Sequence, residues 1–138
     1  MRPSIPGYTY GQKSLATAPY SLQDLESLKK SMLFTDDDVH WLRTSKPILA
    51  DQTEAILDVW YGFVASTPEL TDQADSVPSV NFRYLSALTI PVTTTLKPFL
   101  AAKGASAADV DKMHAAWVKS VLLQTILWSH PYVRDGLF

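Results

Sequence analysis

From Ser21 to Trp128 the apolar residues of this chain recur at helical spacing, and nowhere do they sustain the period of two that a strand requires. No Asn-Gly or Asp-Gly pair lies between apolar segments to close a hairpin, and no stretch repeats. The pattern predicts an all-α fold of four or five helices. At 138 residues the chain suits one domain able to bury roughly 68% of its unfolded surface. It contains no cysteine, which excludes disulfides, thiolate metal sites, iron–sulfur clusters and a Cys nucleophile. Twelve basic against fourteen acidic residues make no electrostatic case for nucleic acid or anionic lipid as a partner.

Proline and capping residues divide the chain. Residues 1–20 hold Pro3, Pro6, Pro19, Gly7 and Gly11 and read as an extended arm. Ser21, followed by Asp24, caps a first helix with the stripe Leu22, Leu25, Leu28, Met32 and Leu33. Thr35 caps a short second helix. Its Asp36, Asp37 and Asp38 complement the helix dipole, because the Gly and closing Glu of a calcium loop are missing. Pro47 suits the first turn of a longer helix reaching about Ser66, completing an N-terminal helical part over 21–66.

Residues 67–80 are polar, carry two prolines and read as a loop. Two long helices are expected over 81–130. One runs from about Asn81 to Ala102, kinked at Pro91 and ended by Gly104; the other runs from its cap Ser106 to about Trp128. The leading residues lack the apolar run of a secretory signal, and no apolar run approaches a membrane span, so a cytoplasmic protein is expected.

Chemistry-bearing motifs are sparse. There is no phosphate-binding glycine loop, dinucleotide fingerprint, HExxH or nucleophile elbow, and no convergent polar cluster, so no enzyme is expected. His40, His114 and His130 are isolated, and no pair has metal-ligand spacing. His114 lies beside the apolar stripe of the last helix, where an imidazole could serve as the axial ligand of a haem. Trp60 and Tyr61 are neighbours on one helix, so Trp60 can enter the core while Tyr61 flanks it with Leu57. They are either ordinary core aromatics or the wall of a ligand pocket.

Several runs resemble the protoglobins, single-domain haem proteins of the globin-coupled-sensor lineage. They are Ile5-Pro6-Gly7-Tyr8-Thr9-Tyr10-Gly11, Asp51-Gln52, the run Ile56 to Val64, and Arg83-Tyr84-Leu85. Pro91, Lys97 to Ala101, Lys103-Gly104 and Trp128 to Tyr132 follow in the same order. The resemblance implies a globin-like helical domain that binds haem and, through it, O2 or another diatomic gas such as CO. It implies a distal pocket around Trp60 and Tyr61 with Phe63 and Val64, faced by Leu88 and Val92. Tyr61 matches the family's hydrogen-bond donor to the gas, while Leu88 replaces a family Phe. The family pairs its last two long helices across a dimer interface, which implies a homodimer here.

The resemblance also implies a truncation. In the family a long stretch, with helices lettered E and F and the proximal His, separates the parts matching Ser66 to Leu70 and Asp75 to Pro78. Here those flanks are joined almost directly, and none of the three histidines aligns with the ligand. Two functions follow: haem-based gas binding in weakened or altered form, or a haem-free helical module for dimerisation and interaction.

Overall fold

The computed structural model describes residues 17–68, 81–134 and 136–138. Most of the expected arm over 1–20 and loop over 67–80 therefore lies outside the described residues. Among the described residues the fold is all-α: α1 (Leu22–Ser31), α2 (Asp36–Leu49), α3 (Thr53–Ala65), α4 (Phe82–Ala87), α5 (Thr89–Thr94), α6 (Lys97–Ala101) and α7 (Ala107–Trp128).

The caps form as their side-chain chemistry dictates. At Ser21 the backbone N–H donates to the Asp24 carboxylate at 2.8 Å, and the Asp24 N–H donates to the Ser21 hydroxyl at 3.1 Å. Ser106 accepts from the Asp109 N–H at 3.1 Å and starts α7. At the end of α1, Leu33 adopts φ 54. Its N–H bonds the Lys30 carbonyl while the Phe34 N–H reaches back to Lys29, the double return that closes a helix with a left-handed residue. Glycine normally takes that position because a Cβ is strained there.

Two helix boundaries depart from expectation. Pro47 does not start a new helix; it sits in the last turns of α2, which continues unbroken from Asp36 to Leu49. The chain then tightens into a 3-10 turn over Ala50–Gln52 before α3 begins. Gln52 holds this bend, donating from one amide nitrogen to the carbonyls of Ile48 at 2.8 Å and Phe99 at 3.0 Å.

The helix expected over residues 81–102 is three short helices, α4, α5 and α6. Their ends have one cause. Pro91 and Pro98 sit in the first turns of α5 and α6, where a missing N–H leaves no bond unmade. Each ring, however, cannot pair with the carbonyl four residues earlier and crowds it. Those carbonyls belong to Ala87 and Thr94, the last residues of α4 and α5. Threonines add to the bending. Thr93, Thr94 and Thr95 each donate the hydroxyl to the carbonyl four residues back, at 2.7, 2.7 and 2.6 Å.

The core gathers where α2, α6 and α7 meet. Leu49, Ile56, Leu96, Leu100, Val110 and Met113 form one buried cluster, with Trp41, Trp60 and Trp117 packed on its edge. The Trp117 indole N–H donates to the Ser45 hydroxyl at 2.8 Å, so α2 and α7 share a polar bond inside this interface. By contrast α1 buries no residue: Leu22 and Leu33, expected on its inner stripe, are 83% and 73% exposed. Leu122 of the expected α7 stripe is also exposed. The apolar helix α3 buries only Ile56.

Candidate functional site

On α3, Leu57, Trp60, Tyr61 and Val64 follow the spacing i, i+3, i+4, i+7 and therefore share one face. Across from them Leu88, Pro91 and Val92 repeat the i, i+3, i+4 pattern over the α4–α5 joint. These two stripes, with Phe63, line an open cleft of about 160 Å³. All six residues expected in the pocket, Trp60, Tyr61, Phe63, Val64, Leu88 and Val92, are brought together there.

Trp60 is half-buried, and its indole N–H donates to the Thr95 hydroxyl at 3.2 Å. Thr95 in turn donates to the Pro91 carbonyl at 2.6 Å. This chain of bonds ties α3 to the α5 end and holds the two walls in register. Tyr61 differs from its neighbour: it is 66% exposed, and among the described residues its hydroxyl has no partner. Among the described residues no charged side chain lines the cleft.

Pro91 as a wall residue and Thr95 as the Trp60 partner were not singled out for these roles from the sequence. Both lie on the face already marked by Leu88, and Thr95 stands seven residues beyond it, so the helical period carried the signal. The break between α4 and α5 obscured it.

His114 is not part of the cleft. It sits half-buried between α7 and α5, with Nε2 2.7 Å from the Thr93 carbonyl. A carbonyl only accepts, so Nε2 carries the proton and cannot bind a metal in that arrangement. His40 meets Trp41 edge-on, and His130 meets Phe138 edge-on at 5.2 Å. Among the described residues no three His, Asp or Glu converge as a metal site.

A second cavity of about 420 Å³ lies between α1 and the end of α7, lined by Leu25, Leu28, Ile126, Leu127 and Phe138 among others. Asp24, which also lines it, is engaged by the Ser21 cap, which holds the carboxyl below its ordinary value.

The fit to a haem is partial. The cleft offers one apolar, aromatic wall, but it is smaller than the roughly 300–1,000 Å³ of sites that enclose a small molecule. No imidazole reaches it. The residues present fit one face of a porphyrin and do not fit histidine ligation of its iron.

No curated protein matches this sequence. The protoglobin family model matches it in two overlapping segments, residues 21–83 and 73–137. Among the described residues the helices are the only regular elements, as a globin-type domain requires. The chain belongs to the protoglobin family.

Proposed function

We propose that this chain keeps the gas-facing half of a protoglobin haem site and performs a weakened or altered form of the family's haem-based binding of O2, CO or another diatomic gas. The observation that carries the reading is the convergence of Trp60, Tyr61, Phe63, Val64, Leu88 and Val92 on one cleft. A bond through Thr95 supports that convergence, so the wall is organised before any ligand arrives. The division of the family match into two segments that share residues 73–83 supports a missing stretch at 67–80, where the family carries its proximal His. Binding then rests on the retained wall.

The test is a haemin titration of the purified chain, followed at the Soret band and repeated after reduction under CO. A saturating one-to-one band that shifts with CO is the expected result. A broad band like that of free haemin, with helicity intact, overturns the reading.

The exposed apolar residues favour a second reading, a haem-free association module. Leu57, Val59 and Phe63 on α3 are 37%, 36% and 40% exposed, and Ile90 is 64% exposed. Faces of this kind mark interaction surfaces. On α7, Leu122 and Trp128 are also exposed, in keeping with a homodimer through the C-terminal helices. Sedimentation showing a monomer at every concentration would sink this second reading.

A further inference from the structure

We propose that the cavity between α1 and the end of α7 binds a quaternary ammonium ion carrying an apolar tail. The inference is independent of the haem reading, which concerns the cleft on α3.

Three parts of the chain build this cavity: Leu25 and Leu28 from α1, Ile126 and Leu127 from α7, and Val133 and Leu137 after it. These walls are aliphatic, and the volume of about 420 Å³ falls within the roughly 300–1,000 Å³ of sites that enclose small molecules. The walls alone would accept any apolar molecule of that size. Selectivity comes from one carboxylate and two rings.

Asp24 supplies the charge. Its Oδ2 accepts both the Ser21 N–H and the Ser21 hydroxyl, each at 2.8 Å, while Oδ1 has no partner among the described residues. Of the described residues that line the cavity, none is Lys, Arg or His. An unpaired carboxylate oxygen at an apolar cavity with no cation in its lining attracts a positive head and repels a negative one.

Tyr20 and Phe138 supply the rings. Both line the cavity, with centroids 5.9 Å apart and planes inclined at 43°, so they do not stack flat on each other. An aromatic face carries negative charge density and attracts a cation within about 6 Å of its centre.

The kind of cation follows from the hydrogen bonding. A primary ammonium brings three N–H donors, each of which needs an acceptor when it leaves water. Asp24 has only Oδ1 to offer, and the Ser129 hydroxyl is held by its own bond to the Ile126 carbonyl at 2.6 Å. A quaternary ammonium has no N–H to satisfy, and its methyl groups suit aliphatic and aromatic walls.

The experiment titrates the full chain by isothermal calorimetry with three ligands of equal tail length: octyltrimethylammonium, below its micelle concentration, 1-octanol and octanoate. Wild type is expected to bind the cation saturably and one to one, at least about threefold more tightly than octanol, and octanoate more weakly than either. Asp24→Asn keeps an oxygen for the Ser21 cap and removes the charge; Tyr20→Leu keeps apolar bulk and removes a ring face. Each is expected to weaken the cation by about two- to fivefold and to leave octanol unchanged. Far-UV circular dichroism checks the fold.

Octanol or octanoate bound by wild type as tightly as the cation overturns the proposal, as does the absence of saturable cation binding. Unchanged cation affinity in either variant, with helicity intact, overturns it too. Should a variant lose helicity, the wild-type order of the three ligands decides.

Discussion

The Lys119 ammonium meets both carboxylate oxygens of Asp38, at 3.0 and 2.9 Å, and also donates to the Leu33 carbonyl at 2.7 Å. One cation on α7 therefore fixes the start of α2 and the left-handed residue that closes α1. Asp38 is buried, and burial pushes its carboxyl up. The Thr35 N–H and Lys119 outweigh that effect and hold it below the ordinary value.

Removing Lys119 leaves a buried carboxylate with half its partners. Lys119→Ala is expected to lower stability by about 1–3 kcal/mol, measured by urea unfolding at neutral pH. The pH dependence follows from the direction of the Asp38 shift. Its contribution is complete above the unfolded value of 3.8 and is lost as pH falls through the lower folded value. Unfolding curves between neutral pH and the acid limb should therefore show a shallower acid loss in Lys119→Ala than in wild type. Equal slopes would mean that the pair does not couple to folding.

His114 joins α7 to α5 through the Thr93 carbonyl. His114→Ala deletes this bond, while the Thr93 carbonyl keeps the Leu96 N–H at 3.4 Å, so a loss of about 0.5–1.5 kcal/mol is expected by the same urea assay. A variant as stable as wild type would show that the bond contributes nothing net.

Met113 and Leu22 make opposite predictions although both sit on apolar stripes. Met113 is fully buried, and Met113→Ala should cost about 2–5 kcal/mol through lost contacts and a cavity. Leu22 is 83% exposed, and Leu22→Ala should stay within about 0.5 kcal/mol. Thermal unfolding of both variants, each compared with wild type, checks the contrast. A large loss at Leu22 would show that α1 is covered in solution.

Pro91 sets the break between α4 and α5. Pro91→Ala supplies the N–H that the Ala87 carbonyl lacks, so the two helices should merge and the far-UV helical signal should rise. The stability change should be about 1 kcal/mol or less, because a stiffer unfolded chain is lost as a bond is gained. An unchanged helical signal would assign the break to the threonines that bond back along α5 instead.

Helical periodicity puts Trp60, Phe63 and Val64 on one stripe and Leu88 and Val92 on another; that these residues, with Tyr61, face a pocket is what the family resemblance implies. Both groups are helical stripes, and a stripe is a local property. The single helix expected over residues 81–102 misread a competition between two signals. Apolar periodicity runs through Leu88 and Leu96 without interruption, yet Pro91 and Pro98 each stop the helix four residues earlier. Pro98 was the missed stop. His114 shows the limit from the other side: its place on the stripe was readable, but its engagement by Thr93 depends on a contact between two helices.

The sequence by itself determined the helical class, the caps at Ser21 and Ser106 and the apolar stripes on which Trp60 and Leu88 lie. Each of these depends on residues three or four positions apart, whose geometry a single helix turn supplies. Only the tertiary structure decided which stripes are covered. It buried Met113 and left Leu22 in solvent, paired Asp38 with Lys119 eighty-one residues away, and left Tyr61 exposed beside a half-buried Trp60. Burial and pairing depend on which distant helices arrive beside a residue, and that information is not carried by its neighbours along the chain.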